Sequence, residues 1–165
     1  DPAQGTEKLS HLSAVEYVQC GHVTAAEFAG FYKFRFVRNP WARLVSEYRY
    51  RNYLSHKSFK DFVMNKLPAP GRDDKYRHVM PQTEMLYDDA GNLLVDFVGK
   101  FENLQEDFNT CCQRIGIPAY QLPHHNKARR SACKSYYNRE LADIVSQCYR
   151  DDFELLGYSS SLMDS

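Results

Sequence analysis

No apolar run in this 165-residue chain is longer than a few residues, which excludes a helix of bilayer-spanning length. The opening Asp1-Pro2-Ala3-Gln4-Gly5 has neither the charged start nor the apolar stretch of a signal peptide. Net charge is also absent. Lys and Arg number 21, as do Asp and Glu, so the chain as a whole is neither a polycationic nucleic-acid coat nor an acidic solvating segment. The five cysteines are odd in number and include the adjacent pair Cys111 and Cys112, poor material for a stapled secreted framework. Neither a CxxC spacing nor a His/Cys cluster of zinc type occurs, so no structural metal is expected and a reducing compartment is the expected setting. With no internal repeat and no low-complexity tract, residues 1–165 read as a single domain. What the chain does have is 43% hydrophobic and 14% aromatic residues, ample for a core and incompatible with a disordered tail.

The neutral total conceals segregation. Residues 31–60 carry eight basic side chains against the single acid Glu47, whereas residues 80–110 carry seven acids against Lys100. A second basic block, residues 124–139, holds Lys127, Arg129, Arg130, Lys134 and Arg139 with no acid. Two basic blocks in a neutral chain point to a localised anion site.

Local signals then order the chain into elements. Ser13 and Thr24 are suited to cap two short helices, the first stopped by Gly21. Alternation over Tyr32 to Val37 predicts a strand that hands over at Arg38-Asn39-Pro40 to a helix reaching about Leu54, with Asn39 as N-cap, Pro40 as first helical residue, and Leu44, Val45 and Tyr48 on the buried face. A capped helix is predicted from Ser58 to Leu67, and a long exposed loop over 68–80. A turn at Asp88 to Asn92 precedes a strand over Leu94 to Val98. A helix follows from about Glu102 to Ile115, stopped by Gly116 and Pro118, and a last continuous helix from Asn138 to Leu156. Repeated strand-to-helix units predict an α/β fold with a small parallel sheet flanked by helices, in which anions bind at strand C-termini and helix N-termini.

The most informative stretch is Phe34-Arg35-Phe36-Val37-Arg38-Asn39-Pro40-Trp41-Ala42-Arg43-Leu44-Val45-Ser46-Glu47-Tyr48. An arginine at the strand end and a serine eight positions later, about two helical turns along, can both reach one phosphate with the helix dipole assisting. Here the sequence resembles the sulfotransferases that use 3'-phosphoadenosine 5'-phosphosulfate (PAPS), in which such an Arg and Ser hold the nucleotide's 3'-phosphate. The form of the motif is similar to the carbohydrate and bacterial branch. Further matching segments are Pro81-Gln82-Thr83, Asp96 to Phe108, Leu122 to Lys127 and Tyr149 to Tyr158, so the resemblance covers about residues 9–158.

The resemblance implies a P-loop-like three-layer α/β fold and sulfuryl transfer from PAPS, with adenosine 3',5'-bisphosphate (PAP) as product, to a hydroxyl acceptor, most plausibly a glycan. No metal is obligatory and no nucleic-acid partner is implied. Arg38 and Ser46 are the implied 3'-phosphate ligands, and the loop residues Asn126, Lys127, Arg129 and Arg130 would close over the nucleotide, with Ala128 where relatives often carry a small hydroxyl residue. His11 is the match for the general base, a task its imidazole suits because its ordinary pKa lies near neutrality. Relatives also carry an earlier Gly-rich loop whose Lys grips the 5'-phosphosulfate. Residues Asp1 to Leu9 contain no such turn, so the expectation is a chain lacking that element, truncated at its N-terminus. Loss of that cation would weaken donor binding and impair transfer. The alternative is therefore a non-catalytic fragment that retains only the 3'-phosphate half-site and binds PAP or a polyanion.

Plainer readings stand beside several of these residues. Arg38 could pair with an acidic side chain, Ser46 could be an ordinary helix-surface serine, and His11 a local hydrogen-bonding residue. Trp41 is read as core rather than an adenine stack. His124 and His125 lack a third ligand and are read as loop residues, and the acidic stretch as a solvated face. The expected compartment is the bacterial cytoplasm, or a Golgi lumen if a membrane anchor preceded residue 1. The sequence carries no signal on oligomeric state.

Overall fold

The computed structural model describes residues 9–50, 58–67, 74–123 and 133–162. It resolves into two compact units, each assembled from separated stretches of chain: 1–37, 72–74 and 82–123 in the first, and 38–71, 75–81 and 124–165 in the second.

The first unit holds α1 (Ala14–Gln19), α2 (Ala25–Gly30), β1 (Phe34–Val37), β2 (Phe97–Lys100) and α6 (Leu104–Ile115). Both short helices begin with reciprocal capping boxes, Ser13 with Glu16 and Thr24 with Glu27, which satisfy donors that helices of six residues cannot leave open. Strands β1 and β2 pair in parallel, with Phe34 opposite Phe97 and Val37 opposite Lys100. Gly99 sits opposite Phe36. A Cβ there would lie 2.6 Å from the Phe36 ring, so only glycine lets the aromatic residue fold across the strand pair. The Asp107 carboxylate accepts a hydrogen bond from the Lys100 backbone N–H and fastens α6 to the end of β2. Gly116, at φ 76°, ends α6 in the left-handed conformation.

The second predicted strand is displaced. Leu94 N–H bonds to Leu86 O, and Tyr87 and Leu93 form an antiparallel bridge, so these residues are spent in a local hairpin and the ladder begins only at Phe97. Within the acidic stretch Asp96 is exposed, as read from the sequence, and also ties two segments together. Asp96 accepts hydrogen bonds from the Lys33 backbone N–H at 2.7 Å and lies 3.0 Å from its Nζ, which holds its carboxyl below the usual range. A carboxyl depressed on folding contributes stability fully above its unfolded pKa of about 3.9 and loses it as pH falls through the lower folded value. Asp96→Asn should therefore lower stability at neutral pH and flatten the acid limb below about pH 4, as read by urea midpoints across that range. An unchanged acid limb would assign the sensitivity to other carboxylates.

The second unit holds α3 (Pro40–Tyr50), α4 (Phe59–Asp61) running into a π-helical stretch over Phe62–Lys66, all but the first residue of α5 (Asp74–Val79), α7 (Arg139–Cys148) and α8 (Arg150–Leu155). Its core gathers Trp41, Leu44, Val45, Phe59, Phe62, Val145 and Phe153. Trp41 has no exposed surface and packs edge-on to Tyr137 at 5.1 Å, so it is core as read from the sequence.

Two expectations fail here. The exposed loop predicted over 68–80 contains α5, and Val79 and Met80 are buried. The predicted single helix over 138–156 breaks at Tyr149 into α7 and α8. Twelve residues of unbroken helix rotate about 120° away from whole turns. The break allows Leu141, Val145, Tyr149 and Phe153 all to stay buried on one core. No described helix is long and apolar enough to cross a membrane.

Candidate functional site

The chain passes from β1 through Arg38 and Asn39 directly into α3. Asn39 Oδ1 accepts from the N–H groups of Trp41 at 3.0 Å and Ala42 at 3.5 Å, and Asn39 O accepts from Arg43 N–H at 2.9 Å. This is the predicted N-cap, with Pro40 as first helical residue where its missing N–H costs nothing. Arg38 is half-buried at this junction. At about 100° per residue, Ser46 returns to the helix face of Asn39, Ala42 and Arg43, opposite the core-facing Trp41, Leu44 and Val45, and is half-buried too.

A second segment, residues 133–137, lies along α3. Burial pushes the Cys133 thiol up, while the charges of Arg38 and then Lys134 act against that shift. Four residues on, the Tyr137 hydroxyl donates to Trp41 O at 2.9 Å, and the Tyr136 ring meets Tyr48 and Phe59 edge-on. Residues 133–137, within the second basic block, are thus pinned along α3.

The helix is held from a third direction by residues that sequence reasoning passed over. Arg43 donates to Met80 O at 2.7 Å and His78 O at 3.0 Å, capturing carbonyls at the end of α5. The Tyr149 hydroxyl donates to Val79 O. Buried Glu47 lies 3.2 Å from His78 Nδ1. Arg43 and Glu47 lie one turn apart, and this i, i+4 pairing of opposite charges within a motif was the available signal. Nothing in the sequence, however, indicates that both point to residues 78–80.

Of the predicted site residues, Arg38 and Ser46 stand together on one strand-to-helix unit. His11 belongs to the first compact unit, half-buried at the end of a 3₁₀ turn over Leu9–His11. Asn126, Lys127, Arg129 and Arg130, with His124 and His125, lie outside the described residues. Among the described residues no group of three or more His, Cys, Asp or Glu side chains could hold a metal ion. All five cysteines are free thiols.

A parallel strand running through an arginine into a capped helix defines an α/β protein of the strand-turn-helix class, the arrangement that receives anions at helix N-termini. Within that class the chain belongs to the sulfotransferase family, whose model matches residues 7–159 and so spans stretches of both units. It is also similar to an uncharacterized protein of Archaeoglobus fulgidus, at 33% identity over 99 residues, covering 55% of this chain and 72% of the relative. No solved structure matches the chain.

Proposed function

We propose that this chain transfers a sulfuryl group from PAPS to a hydroxyl acceptor, with Arg38 and Ser46 binding the 3'-phosphate of the donor. The observation that carries this reading is the junction of β1 and α3. It presents a half-buried guanidinium at a capped helix N-terminus and a hydroxyl two turns on along the same face. The resemblance implies that Asn126, Lys127, Arg129 and Arg130, which lie outside the described residues, close over the nucleotide.

In the transfer, the acceptor oxygen forms a bond to sulfur as the bond from sulfur to the bridging phosphate oxygen breaks. The bridging oxygen leaves with the electron pair as part of PAP, and the acceptor proton passes to His11 as general base. A histidine suits this step because it can take up a proton near neutral pH and release it again. For the acceptor, the resemblance implies a carbohydrate.

Calorimetric titration of PAP into the purified chain tests the donor site, followed by a transfer assay with PAPS. Saturable 1:1 binding with transfer is expected. Binding without transfer would select the non-catalytic reading, in which only the half-site operates. Absence of PAP binding would overturn both readings.

A further inference from the structure

The carbonyls that close α5 are taken by side chains of other elements. His78 O and Met80 O accept from the Arg43 guanidinium at 3.0 and 2.7 Å, and Val79 O, between them, accepts from the Tyr149 hydroxyl. A helix end leaves such carbonyls without partners of its own, and a guanidinium, with its donors in a rigid fork, can hold two of them at fixed angles. One turn further along α3 the buried Glu47 carboxylate lies 3.2 Å from Nδ1 of the same His78. The end of α5 is therefore held at two successive turns of α3.

Ser46 lies between these two attachments. Arg43 and Ser46 are three positions apart, neighbours on one helix face with Cβ atoms about 5–6 Å apart, and Glu47 follows Ser46 directly. On the opposite face Trp41, Leu44 and Val45 are buried in the core. Apolar burial is non-directional, whereas a hydrogen bond weakens steeply once its angle falls below about 120°. The bonds to residues 78–80 thus set the rotation of α3 about its axis, and with it the direction of the Ser46 hydroxyl. Nη1 and Nη2 of Arg43 both reach those carbonyls, which turns its charge toward residues 78–80.

We propose that Arg43 and Glu47 are positioning residues of the donor site, which act on PAP affinity through Ser46 by holding α3 against residues 78–80. The proposal rests on the reading of Arg38 and Ser46 as donor ligands given above. Misplacing a binding group by about 1 Å can cost far more than its own contact is worth, so a rigid support behind Ser46 has a measurable effect.

The test is a double-mutant cycle on the full chain, read as PAP affinity by calorimetry, with urea unfolding of each variant. Ser46→Ala should weaken PAP about fivefold, as expected for one net hydrogen bond. Arg43→Gln should weaken it by a similar factor, yet by less than about twofold when introduced into Ser46→Ala, because the hydroxyl it holds is already absent. Arg43→Lys, which can still donate to one carbonyl, should recover part of the loss. Glu47→Ala should repeat the pattern of Arg43→Gln, and Glu47→Gln, which can still accept from His78, should lose less; these two variants carry the same cycle if Arg43→Gln does not fold. The salt dependence of PAP binding should keep its wild-type slope in Arg43→Gln, whereas a shallower slope would mark a direct phosphate ligand. Wild-type PAP affinity in folded variants, equal losses with and without the Ser46 hydroxyl, or that shallower slope would each overturn the proposal while PAP binding by the wild type upholds the donor site. Absence of PAP binding in the wild type would overturn the donor-site reading and this proposal together.

Discussion

Replacing Arg38 with alanine should weaken PAP binding by roughly 30- to 150-fold, the equivalent of about 2–3 kcal/mol. The side chain is half-buried at the mouth of α3, where a guanidinium-phosphate contact is screened less than on an open surface. The helix N-terminus adds a second favourable contribution that the substitution leaves intact, so binding should fall steeply without vanishing. Arg38→Lys should recover only part of the loss, because an ammonium cannot offer the planar pair of donors that matches two phosphate oxygens. Ser46→Ala, removing one hydroxyl, should cost about 1 kcal/mol, near fivefold. Calorimetry reads all three, and unchanged thermal midpoints would show that the losses belong to the site. Wild-type affinity in Arg38→Ala would remove the 3'-phosphate from this junction.

Trp41→Ala should destabilise the protein by about 3–5 kcal/mol, a large share of the roughly 5–15 kcal/mol by which folded domains exceed their unfolded states. The indole is wholly buried against Tyr137 and Phe153, each at a ring separation of 5.1 Å, and its Nε1–H donates to Ser159 O at 3.3 Å. Alanine leaves both a cavity and an unmatched carbonyl. Trp41→Phe, which keeps a ring but loses the donor, should cost less. Urea unfolding with an unchanged m-value would report these as stability differences. A loss below about 1 kcal/mol would mean that the core collapses around the gap. Folded Trp41→Phe should bind PAP normally, and a large drop in its affinity would restore the adenine-stacking role.

Much of the candidate donor site was legible in sequence because it is built from consecutive residues. Arg38, Asn39, Pro40 and Ser46 occupy one strand-to-helix passage, and the Asn39 cap sets where the helix starts and hence which face Ser46 takes. The clamp of Arg43 and Glu47 on residues 78–80 was not legible. Its partners lie 31 to 37 positions away, on a segment whose polar composition reads as loop. An open cavity in the first unit, walled chiefly by Tyr17, Phe28, Phe31, Tyr32 and Phe34, was equally invisible. Its wall joins α1, α2 and β1 with Met85 and Val95, and no periodicity links these residues.

The sequence by itself determined the features governed by neighbours a few residues apart. These are the capping boxes at Ser13 and Thr24, the Asn39 cap with Pro40 behind it, and the glycine stop after α6. Each satisfies backbone donors or acceptors within one turn, so local chemistry suffices. Tertiary structure alone decided the hairpin that moved β2 to Phe97, the helical state of Asp74–Val79 and the break at Tyr149. In each, burial and a hydrogen bond to a distant partner outweighed the local preference. Leu94 found Leu86, the carbonyls after Arg77 found Arg43 and Tyr149, and the last helical stretch bent to keep four side chains on one core.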